Sequence, residues 1–503
     1  MWAQVLFFVG LTISKAQMVT TWHYDNAHTG VTSKETMLTP QNVNSTEFGR
    51  LFAQPVDGAV IGQALYLPNI TIPGKGTHNV VYVATMHDSV YALDADSSAG
   101  NNSQPLWHTS FLIDRATPVP ISLQGCQPTT KWTEVGVVST PVIDPIAGTL
   151  YVVAKTYEHL AFIHRLHALD VKTGLEKANS PVVIAGSYAL AGKNNIFADA
   201  MQVNRPALLL ENGHIYIAFG SNGCRGDHEQ GWVMSYDAST LELEGSFDDE
   251  PSSYSAAIWQ RGGGLSSDSV GNIYGVTADG VFKPGTNFGQ SVLKLSQVGT
   301  SLQLVDWFTP YNQNYLNTND LDLSEPVLVL PDQPGQYPHL MVAIGKEGTV
   351  YLLNRDSMGH FCSSCNTRDT QIVDELTAFA PETGALIYFN NAVYTSGAGS
   401  LIKALAINNG ALSTTPIAQS KITTQGHSPI ISANGTTGAV LWQISGSILQ
   451  AFDAKTLAKL YSSGQAANKR DVLPALPHFA NFVVANGKLY VGTNNSLVAY
   501  GLF

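Results

Sequence analysis

The segment VYALDA (residues 90–95) decides the fold, because variants of it recur along the whole chain. The copies are VYALDA (90–95), LHALDV (166–171), VMSYDA (233–238), VLKLSQ (292–297), VYLLNR (350–355), IKALAI (402–407), LQAFDA (449–454) and LVAYGL (497–502). Alternating apolar positions are typical of β-strands, and self-similarity at long spacing indicates a repeat architecture. The eight copies lie about 58 residues apart on average.

Other β-rich runs accompany each copy. A β-rich run directly precedes each copy, such as VVYVAT (80–85) before the first copy. Another run precedes most of these, such as EPVLVLPDQ (325–333). Where it is clear, a further run follows the copy, such as PLWHTSF (105–111). Four antiparallel strands per unit, repeated radially, predict an all-β fold, an eight-bladed β-propeller forming one domain over residues 17–503. The last copy leaves no room for its fourth strand, so we expect residues 48–58 to supply it and thereby close the ring.

Composition narrows the possible partners. A net charge of −12 and a pI near 5.5 argue against nucleic acid as the main partner. The sequence contains no run of 18 apolar residues, so we expect no membrane span.

The first sixteen residues are predicted to be a secretory signal peptide, with an apolar core at 5–13 followed by small residues; an apolar first strand is the alternative. Export agrees with five N-glycosylation sequons, which begin at Asn44, Asn69, Asn101, Asn434 and Asn494. The protein is therefore predicted to be secreted.

The four cysteines are compatible with two disulfides in an oxidising compartment. Cys362 and Cys365 could close a small loop, and Cys126 could pair with Cys224. A zinc site would need more ligands, and His360 is the only candidate near the first pair.

In a propeller, the loops entering each innermost strand and those joining the second to the third strand open on one face. The repeats place a set of polar residues there, namely His87, Glu134, Glu158, Arg205, Arg261, Asp279, Asp320, Asp322, Lys346 and His427. A central funnel lined by both carboxylates and cations predicts a small-molecule or glycan ligand. Solvated loop charges are the alternative for any one of these residues.

The repeats resemble those of pyrroloquinoline-quinone (PQQ) dehydrogenases, the quinoprotein alcohol dehydrogenases, and their secreted PQQ-like relatives. The docking pattern of that family, Ala-x-Asp-x-x-Thr-Gly with Trp four residues later, survives partly in ALDVKTGLEKA (168–178) and AFDAKTLAKLY (451–461). Ala178 and Tyr461 occupy the tryptophan positions. The resemblance covers residues 48–503 and implies the propeller fold.

The resemblance also implies site residues. NDLDLSEPVLVL (319–330) is similar to the family stretch that carries the catalytic base, which would be Asp320. The turn in GKEGTVYLLNR (345–355) matches the cation that touches the quinone, which would be Lys346, and Arg261 joins it as a predicted cofactor-binding residue. Glu158 and Asp279 would ligate Ca²⁺. The implied function is a quinoprotein-type oxidoreductase acting on an alcohol or sugar, and we expect Glu158, Asp279, Asp320 and Lys346 to share one pocket.

Two departures leave the cofactors, PQQ and Ca²⁺, open. The family covers one face of its quinone with a disulfide between adjacent cysteines, and this sequence has no Cys-Cys pair. The family's tryptophan beneath the other face is replaced by Leu265 or Ser266 in WQRGGGLSSDS (259–269). A chain that binds neither cofactor is therefore the alternative, as a non-catalytic binding propeller or a cofactor-free cyclase or isomerase.

Overall fold

The computed structural model describes residues 17–124, 133–190, 192–221, 230–255, 257–425 and 428–503. Within them, eight small antiparallel sheets form the ring of an eight-bladed β-propeller, as the repeats predict. The predicted signal peptide, Cys126 with Cys224, and His427 lie outside the described residues. None of the described helices has the length and apolar character needed to cross a membrane.

The first four blades follow the chain in order. Blade 1 contains Leu65–Ile72, Gly76–Thr85, Ser89–Asp94 and Trp107–Ser110. Blade 2 contains Thr117–Pro120, Glu134–Val135, Val142–Asp144, Thr149–Glu158, Ala161–Asp170 and Val182–Val183. Blade 3 contains Gln202–Val203, Leu209–Glu211, His214–Ser221, Trp232–Asp237 and Leu243–Asp248. Blade 4 contains Ser266–Ser267, Ile273–Val276, Val292–Val298, Ser301–Thr309 and His360–Phe361.

The other four blades complete the ring. Blade 5 contains Leu328–Val329, Leu340–Ile344, Thr349–Asn354 and Asp374–Thr377. Blade 6 contains Ile387–Phe389, Ala392–Thr395, Ala398–Asn408, Ala411–Leu412 and Ala418–Gln425. Blade 7 contains Val31–Thr32, Ile430–Asn434, Thr437–Ser445, Ile448–Asp453 and Lys459–Ser462. Blade 8 contains Phe48–Pro55, Phe482–Ala485, Lys488–Gly492 and Ser496–Leu502.

The loops contain short hairpins and helical turns. Two hairpins pair Ser187–Leu190 with Lys193–Ile196 and Phe282–Lys283 with Asn287–Phe288. The helical turns are Trp22–Tyr24, Gly100–Ser103, Ile121–Gln124, Asp199–Met201, Gln260–Gly262, Gln313–Thr318 and Ala467–Lys469.

Blade 8 confirms the predicted closure. Its outer strand, Phe48–Pro55, runs antiparallel to Ser496–Leu502, with Phe48 opposite Leu502. The early segment thus satisfies the edge of the last blade, where unpaired backbone groups would otherwise face solvent.

The Asp that ends many repeat copies makes the turn after the third strand of its blade. Asp94 Oδ1 accepts hydrogen bonds from the backbone N–H groups of Asp96 and Ser97, each at 2.9 Å. The same arrangement recurs at Asp170, Asp237 and Asp453. An Asp side chain that bonds the backbone two and three residues ahead stabilises a tight turn, which explains the repeat signature.

Neighbouring blades are joined by tyrosines of their second strands. The hydroxyl groups of Tyr490, Tyr82 and Tyr151 donate to the backbone carbonyls of Ala95, Val171 and Ala238, each in the next blade, at 2.8, 3.0 and 2.7 Å. A buried phenol needs such a partner, so each bond both fixes the blade spacing and satisfies the hydroxyl.

A belt formed by residues 17–35 makes contact with all eight blades. Each contact is a hydrogen bond of 2.7 to 3.1 Å to an inner strand. Starting at blade 8 and ending at blade 7, the pairs are Gln17 with Val484, Val19 with Tyr66, Thr20 with Ile143, Asn26 with Leu210, Asn26 with Ser267, Ala27 with Val329, Thr29 with Tyr388 and Gly30 with Ile431. The partners lie in inner strands, towards the face opposite the loops that carry the predicted site. No repeat or motif in the sequence indicates this belt.

Trp22 of the belt fills the centre of the ring. Its side chain is 1% exposed and stacks on His23 at 3.5 Å between ring centroids. A Cβ atom on Gly263 would lie 2.9 Å from the indole and 2.5 Å from Pro326. The glycines of RGGG (261–264) therefore allow the backbone to approach the axis.

The blade 1–2 and blade 2–3 interfaces differ in one aromatic side chain. Trp107 of blade 1 packs against Gly174 of blade 2 and donates its indole N–H to the carbonyl of Val171 at 3.0 Å. At the next interface Ala178 stands at the family's tryptophan position and lines an open cavity of about 600 Å³. Ala178 is exposed, and its small side chain leaves an open groove at this part of the interface.

We predict that Ala178→Trp stabilises the fold by roughly 0.5–2 kcal/mol, because the new ring fills part of that cavity. Equilibrium chemical denaturation measures the change. The reciprocal variant Trp107→Ala should lower the free energy of unfolding by about 3 kcal/mol. A destabilised Ala178→Trp protein would show that the cavity does not accept an indole.

Candidate functional site

Lys346 lies on the face that carries the blade-connecting loops, at a tight turn between two strands of blade 5. Its backbone N–H donates to the carbonyl of Asp322 at 2.9 Å, which ties the turn to the loop entering the same blade. Gly348 has a φ of +88°, and a Cβ atom there would lie 2.1 Å from the carbonyl oxygen of Phe379. Only glycine fits this position, so the turn that presents Lys346 is fixed.

The ammonium group of Lys346 forms ion pairs with two carboxylates. Nζ lies 2.5 Å from Asp320 Oδ1 and 2.9 Å from Asp322 Oδ2. The Lys346 and Asp322 side chains are 17% and 6% exposed, whereas that of Asp320 is 79% exposed. Asp320 therefore faces solvent at the mouth of this group while the other two lie beneath it.

Asp279 of blade 4 completes the group. Carboxylate oxygens of Asp279, Asp320 and Asp322 lie within 4.8 Å of one another, and they form the one such cluster of three or more potential metal ligands in the described part of the chain. Burial and the adjacent Asp322 raise the pKa of Asp279 to about 7. A carboxyl group with this pKa is about half-protonated near neutral pH, so Asp279 can both donate and accept a proton there.

Lys346 keeps its charge in this setting. Burial opposes the ammonium form, but the negative charge of Asp322 and the hydrogen bonds to Asp320 and Asp322 outweigh it and raise the pKa of Lys346. The Lys346 ammonium favours the ionised form of Asp279, so it offsets part of the rise in the pKa of Asp279 that burial and Asp322 cause. The site is thus a fixed cation among three carboxyl groups, of which Asp279 has a pKa of about 7.

Glu158 does not join this group. Its carboxylate pairs with Arg165 and accepts a hydrogen bond from Thr156 at 2.9 Å, and the Arg165 hydrogen bond lowers its pKa. Of the four residues expected to share a pocket, the structure brings together Asp279, Asp320 and Lys346. The resemblance that implies Glu158 rests on the sequence of its segment, which does not reveal that Glu158 pairs with Arg165 across the same hairpin.

Arg261 lies beside the Lys346 group. Its Nη1 lies 3.1 Å from Glu325 Oε1 and 3.3 Å from Glu382 Oε2. The backbone N–H of Glu382 donates to the carbonyl of Lys346 at 2.8 Å, which joins the two groups. Burial raises the pKa of Glu325 to about 7, opposed by Arg261.

Two further residues, Asp322 and Phe479, have roles at this site that their sequence positions do not assign. Asp322 is among the polar residues expected on the loop-bearing face, with no role assigned to it. Its position two residues after Asp320 in NDLDL is the signal that both carboxylates face the same side. Phe479 gave no signal; it packs against Arg205 and lies near Arg261, with ring-centroid distances of 3.7 and 5.9 Å.

A separate polar region lies where blades 8, 1 and 2 meet. His87 contacts Glu134 at 3.2 Å, and both were predicted to lie on this face. A cavity of about 210 Å³ beside them is lined by Asp57, Glu134 and Asn494, among other residues.

The predicted glycosylation sites differ in accessibility. Asn69, Asn101 and Asn434 are exposed, whereas Asn44 and Asn494 are half-buried. Cys362 and Cys365 form the predicted short-range disulfide, next to the strand His360–Phe361 that pairs with Ser301–Thr309 of blade 4.

Comparison with known proteins supports the fold and leaves the function open. No family model matches the chain, and no curated protein matches it. Among solved structures, the quinohemoprotein alcohol dehydrogenase ADHIIG from Pseudomonas putida HK5 aligns with a TM-score of 0.62 at 14% identity, over 96% of this chain and 80% of that chain. Sqt1 from Saccharomyces cerevisiae aligns with a TM-score of 0.48 at 9% identity, over 90% of this chain and 98% of that one. The first likeness shows a quinoprotein alcohol dehydrogenase-like propeller fold.

The described residues do not supply the two facing surfaces between which a quinone would stack. A flat cofactor needs two facing surfaces. Leu265 is instead 2% exposed within the packing between blades 3 and 4, and the described disulfide borders the outer strand of blade 4. Carboxylate oxygens suit Ca²⁺ in type. However, the ammonium of Lys346 already lies within 2.9 Å of two of the three carboxylates, so it competes with a metal ion for them.

We predict that Lys346→Met lowers thermal stability more at pH 8 than at pH 5. Asp279 has a folded-state pKa of about 7, above its ordinary 3.8, so its ionisation costs stability as pH rises through that interval. Removing Lys346 raises that pKa further and leaves the ionised carboxylates unpaired, whereas at pH 5 Asp279 is protonated. Thermal denaturation at both pH values measures the difference.

Lys488→Met is the matched control, since Lys488 is 18% exposed and pairs with a single carboxylate, Asp96, at 2.8 Å. Its effect should be similar at the two pH values. An equally pH-independent effect of Lys346→Met would contradict the coupling between Lys346 and the carboxyl pair.

Proposed function

We propose that the chain is an enzyme that transfers protons on a small polar substrate, with Asp279, Asp320, Asp322 and Lys346 as its active site. One observation carries the proposal: Lys346 bridges Asp320 and Asp322 while Asp279, from the neighbouring blade, holds a proton with a pKa of about 7. Such a pKa suits a general acid or base at neutral pH.

Each residue has a distinct role in this proposal. Asp320, at the exposed mouth, accepts a proton from a hydroxyl group or from a carbon beside a carbonyl. The Lys346 ammonium stabilises the negative charge that then develops on the substrate oxygen. Asp279 returns a proton at another atom of the substrate, and Asp322 positions both Asp279 and Lys346. The net change is an isomerisation, elimination or cyclisation, which needs no external oxidant.

The belt supports access from one side. Trp22 is buried at the centre of the ring, and the belt contacts the inner strands of every blade towards the opposite face. A substrate therefore enters from the face on which Asp320 is exposed.

We predict that the protein catalyses hydrogen–deuterium exchange at carbon in a panel of hydroxy-carbonyl compounds in D₂O, followed by ¹H NMR. Asp320→Asn and Asp322→Asn should each slow the exchange by roughly 10²–10⁴-fold, the usual contribution of general acid–base catalysis. Because the acid form of Asp279 is lost through about pH 7, the rate should fall above that pH.

The control variant is Asp356→Asn, since Asp356 is also in blade 5 but is 57% exposed and pairs with His339. It should exchange at the wild-type rate. Exchange no faster than the protein-free rate, or full activity of Asp322→Asn, would contradict the catalytic proposal. The funnel would then be interpreted as a ligand-binding site.

Oxidation of an alcohol or sugar is a second candidate. It is favoured by the 2.5 Å contact between Asp320 and Lys346, because the PQQ dehydrogenase resemblance assigns these two positions to the base and to the quinone-contacting cation. Titration of the purified protein with PQQ and CaCl₂ tests it. This candidate requires a saturable change in the quinone absorption spectrum that Lys346→Met abolishes, and an unchanged spectrum removes it.

Secretion remains a proposal supported by the first sixteen residues and the exposed sequons. Glycopeptide mapping of protein secreted by a eukaryotic host should find glycans at Asn69, Asn101 or Asn434, which are exposed. Retention of residues 1–16 in the isolated protein would contradict the signal-peptide assignment.

A further inference from the structure

Arg205 is a fully buried cation without a hydrogen-bond partner among the described residues. Its side chain is 0% exposed, and none of its three guanidinium nitrogens has a partner in that part of the chain. The guanidinium carbon lies 3.7 Å from the centroid of the Phe479 ring and 4.7 Å from that of the Trp259 ring. Aromatic rings therefore contact the guanidinium, while its N–H groups remain free.

The neighbouring charges do not neutralise Arg205 directly. Arg261 forms ion pairs with both Glu325 and Glu382, whereas Arg205 has no carboxylate within 4.0 Å among the described residues. Glu325 is near enough to attract Arg205 electrostatically, and Arg261 repels it; burial is the larger effect and lowers the pKa of Arg205. A buried cation left in this state is costly unless it serves to bind an anion.

The backbone at Gly262 lies close to one edge of the guanidinium. Gly262 has a φ of +91°, and a Cβ atom at this residue would lie 3.2 Å from Nη2 of Arg205 and 3.8 Å from Nδ2 of Asn481. A larger residue at this position would therefore press its side chain against the guanidinium. A guanidinium held by aromatic contacts with free in-plane N–H groups is preorganised for a two-point contact with a carboxylate.

We propose that Arg205 binds the carboxylate of the substrate, and that the substrate class is therefore a small hydroxycarboxylate. This inference rests on the proposed function, because it assigns the second end of the molecule on which Asp320 and Lys346 act. Arg261 links the two ends in the structure, because its charge acts on Arg205 and its guanidinium pairs with Glu382. The backbone N–H of Glu382 in turn donates to the carbonyl of Lys346. Nη1 of Arg261 also donates to the carbonyl of Thr383 at 2.9 Å.

Matched pairs of probes isolate the carboxylate. Isothermal titration calorimetry compares glycolate with ethylene glycol, succinate with 1,4-butanediol and gluconate with sorbitol, where each alcohol replaces every carboxylate by CH₂OH. We expect at least one carboxylate to bind while its matched alcohol does not. Inorganic phosphate is included as a tetrahedral anion.

Three variants assign the binding to Arg205. Arg205→Met should weaken binding of the carboxylate by about tenfold or more, as expected for loss of a charge-assisted hydrogen bond. Arg205→Lys, which keeps the charge but loses the planar fork, should bind with intermediate affinity. Arg470→Met is the matched control, because Arg470 also contacts an aromatic ring, Phe503 at 4.4 Å, but its N–H groups are already bonded to Asp471 and to backbone carbonyls. It should leave binding unchanged.

The outcomes separate this inference from the proposed function. Binding of no carboxylate, equal binding of an alcohol partner, response to phosphate alone, or undiminished binding by a folded Arg205→Met protein would each overturn the inference. Should Arg205→Met not fold, undiminished binding by Arg205→Lys decides against it. Carboxylate binding that depends on Arg205, together with full deuterium exchange by Asp322→Asn, would support the inference and reject the catalytic assignment.

Discussion

The hydrogen bonds between the belt and the eight inner strands are the interaction on which the rest of the structure depends. A propeller otherwise holds its ring together only between neighbouring blades and at one closure. Here the belt contacts the inner strands from blade 8 round to blade 7 in turn. Glu35 then returns to blade 8, where it accepts a hydrogen bond from the backbone N–H of Gly487, in the turn after the inner strand, at 2.9 Å. Displacing any one blade therefore breaks a belt contact in addition to its two blade interfaces. Because these bonds satisfy inner-strand backbone groups beside a narrow axis, they also replace hydrogen bonds that water would otherwise provide.

The belt explains how charged groups can lie so deep in the funnel. Trp22 and the glycines beside it fill the centre of the ring, and Arg205 lies next to Gly262. Groups buried above a filled axis lose solvent on that side, which raises the pKa of Glu325 and lowers that of Arg205. A rigid wall is required for this arrangement, since flexible surroundings would relax and let water reach the charges. The pKa values of the buried charged groups on the loop face thus depend on the packing of Trp22 at the centre of the ring.

Much of the fold could be predicted from local sequence, and the site only in part. The repeated strand pattern and its terminal Asp are local signals, and they predicted the blades and the closure. Asp320 and Lys346 could be placed because each lies at a fixed offset from a repeat copy. Glu158 could not, because its partner Arg165 depends on side-chain pairing within one hairpin. The belt was invisible because it contacts the blades mainly through backbone atoms, which every residue carries, and through single side chains such as Asn26 that form no motif.

The position of the carboxyl pair makes its chemistry a property of the blade interface. Asp279 belongs to a loop of blade 4, whereas Asp322 and Lys346 belong to loops of blade 5. Between those blades lies one apolar cluster that includes Tyr274 and Leu323, so the packing of this cluster sets the separation of the carboxyl groups. Burial at this interface, and after it the adjacent Asp322, raise the pKa of Asp279. Proton affinity at the site is therefore tuned by contacts within the scaffold that never touch a substrate.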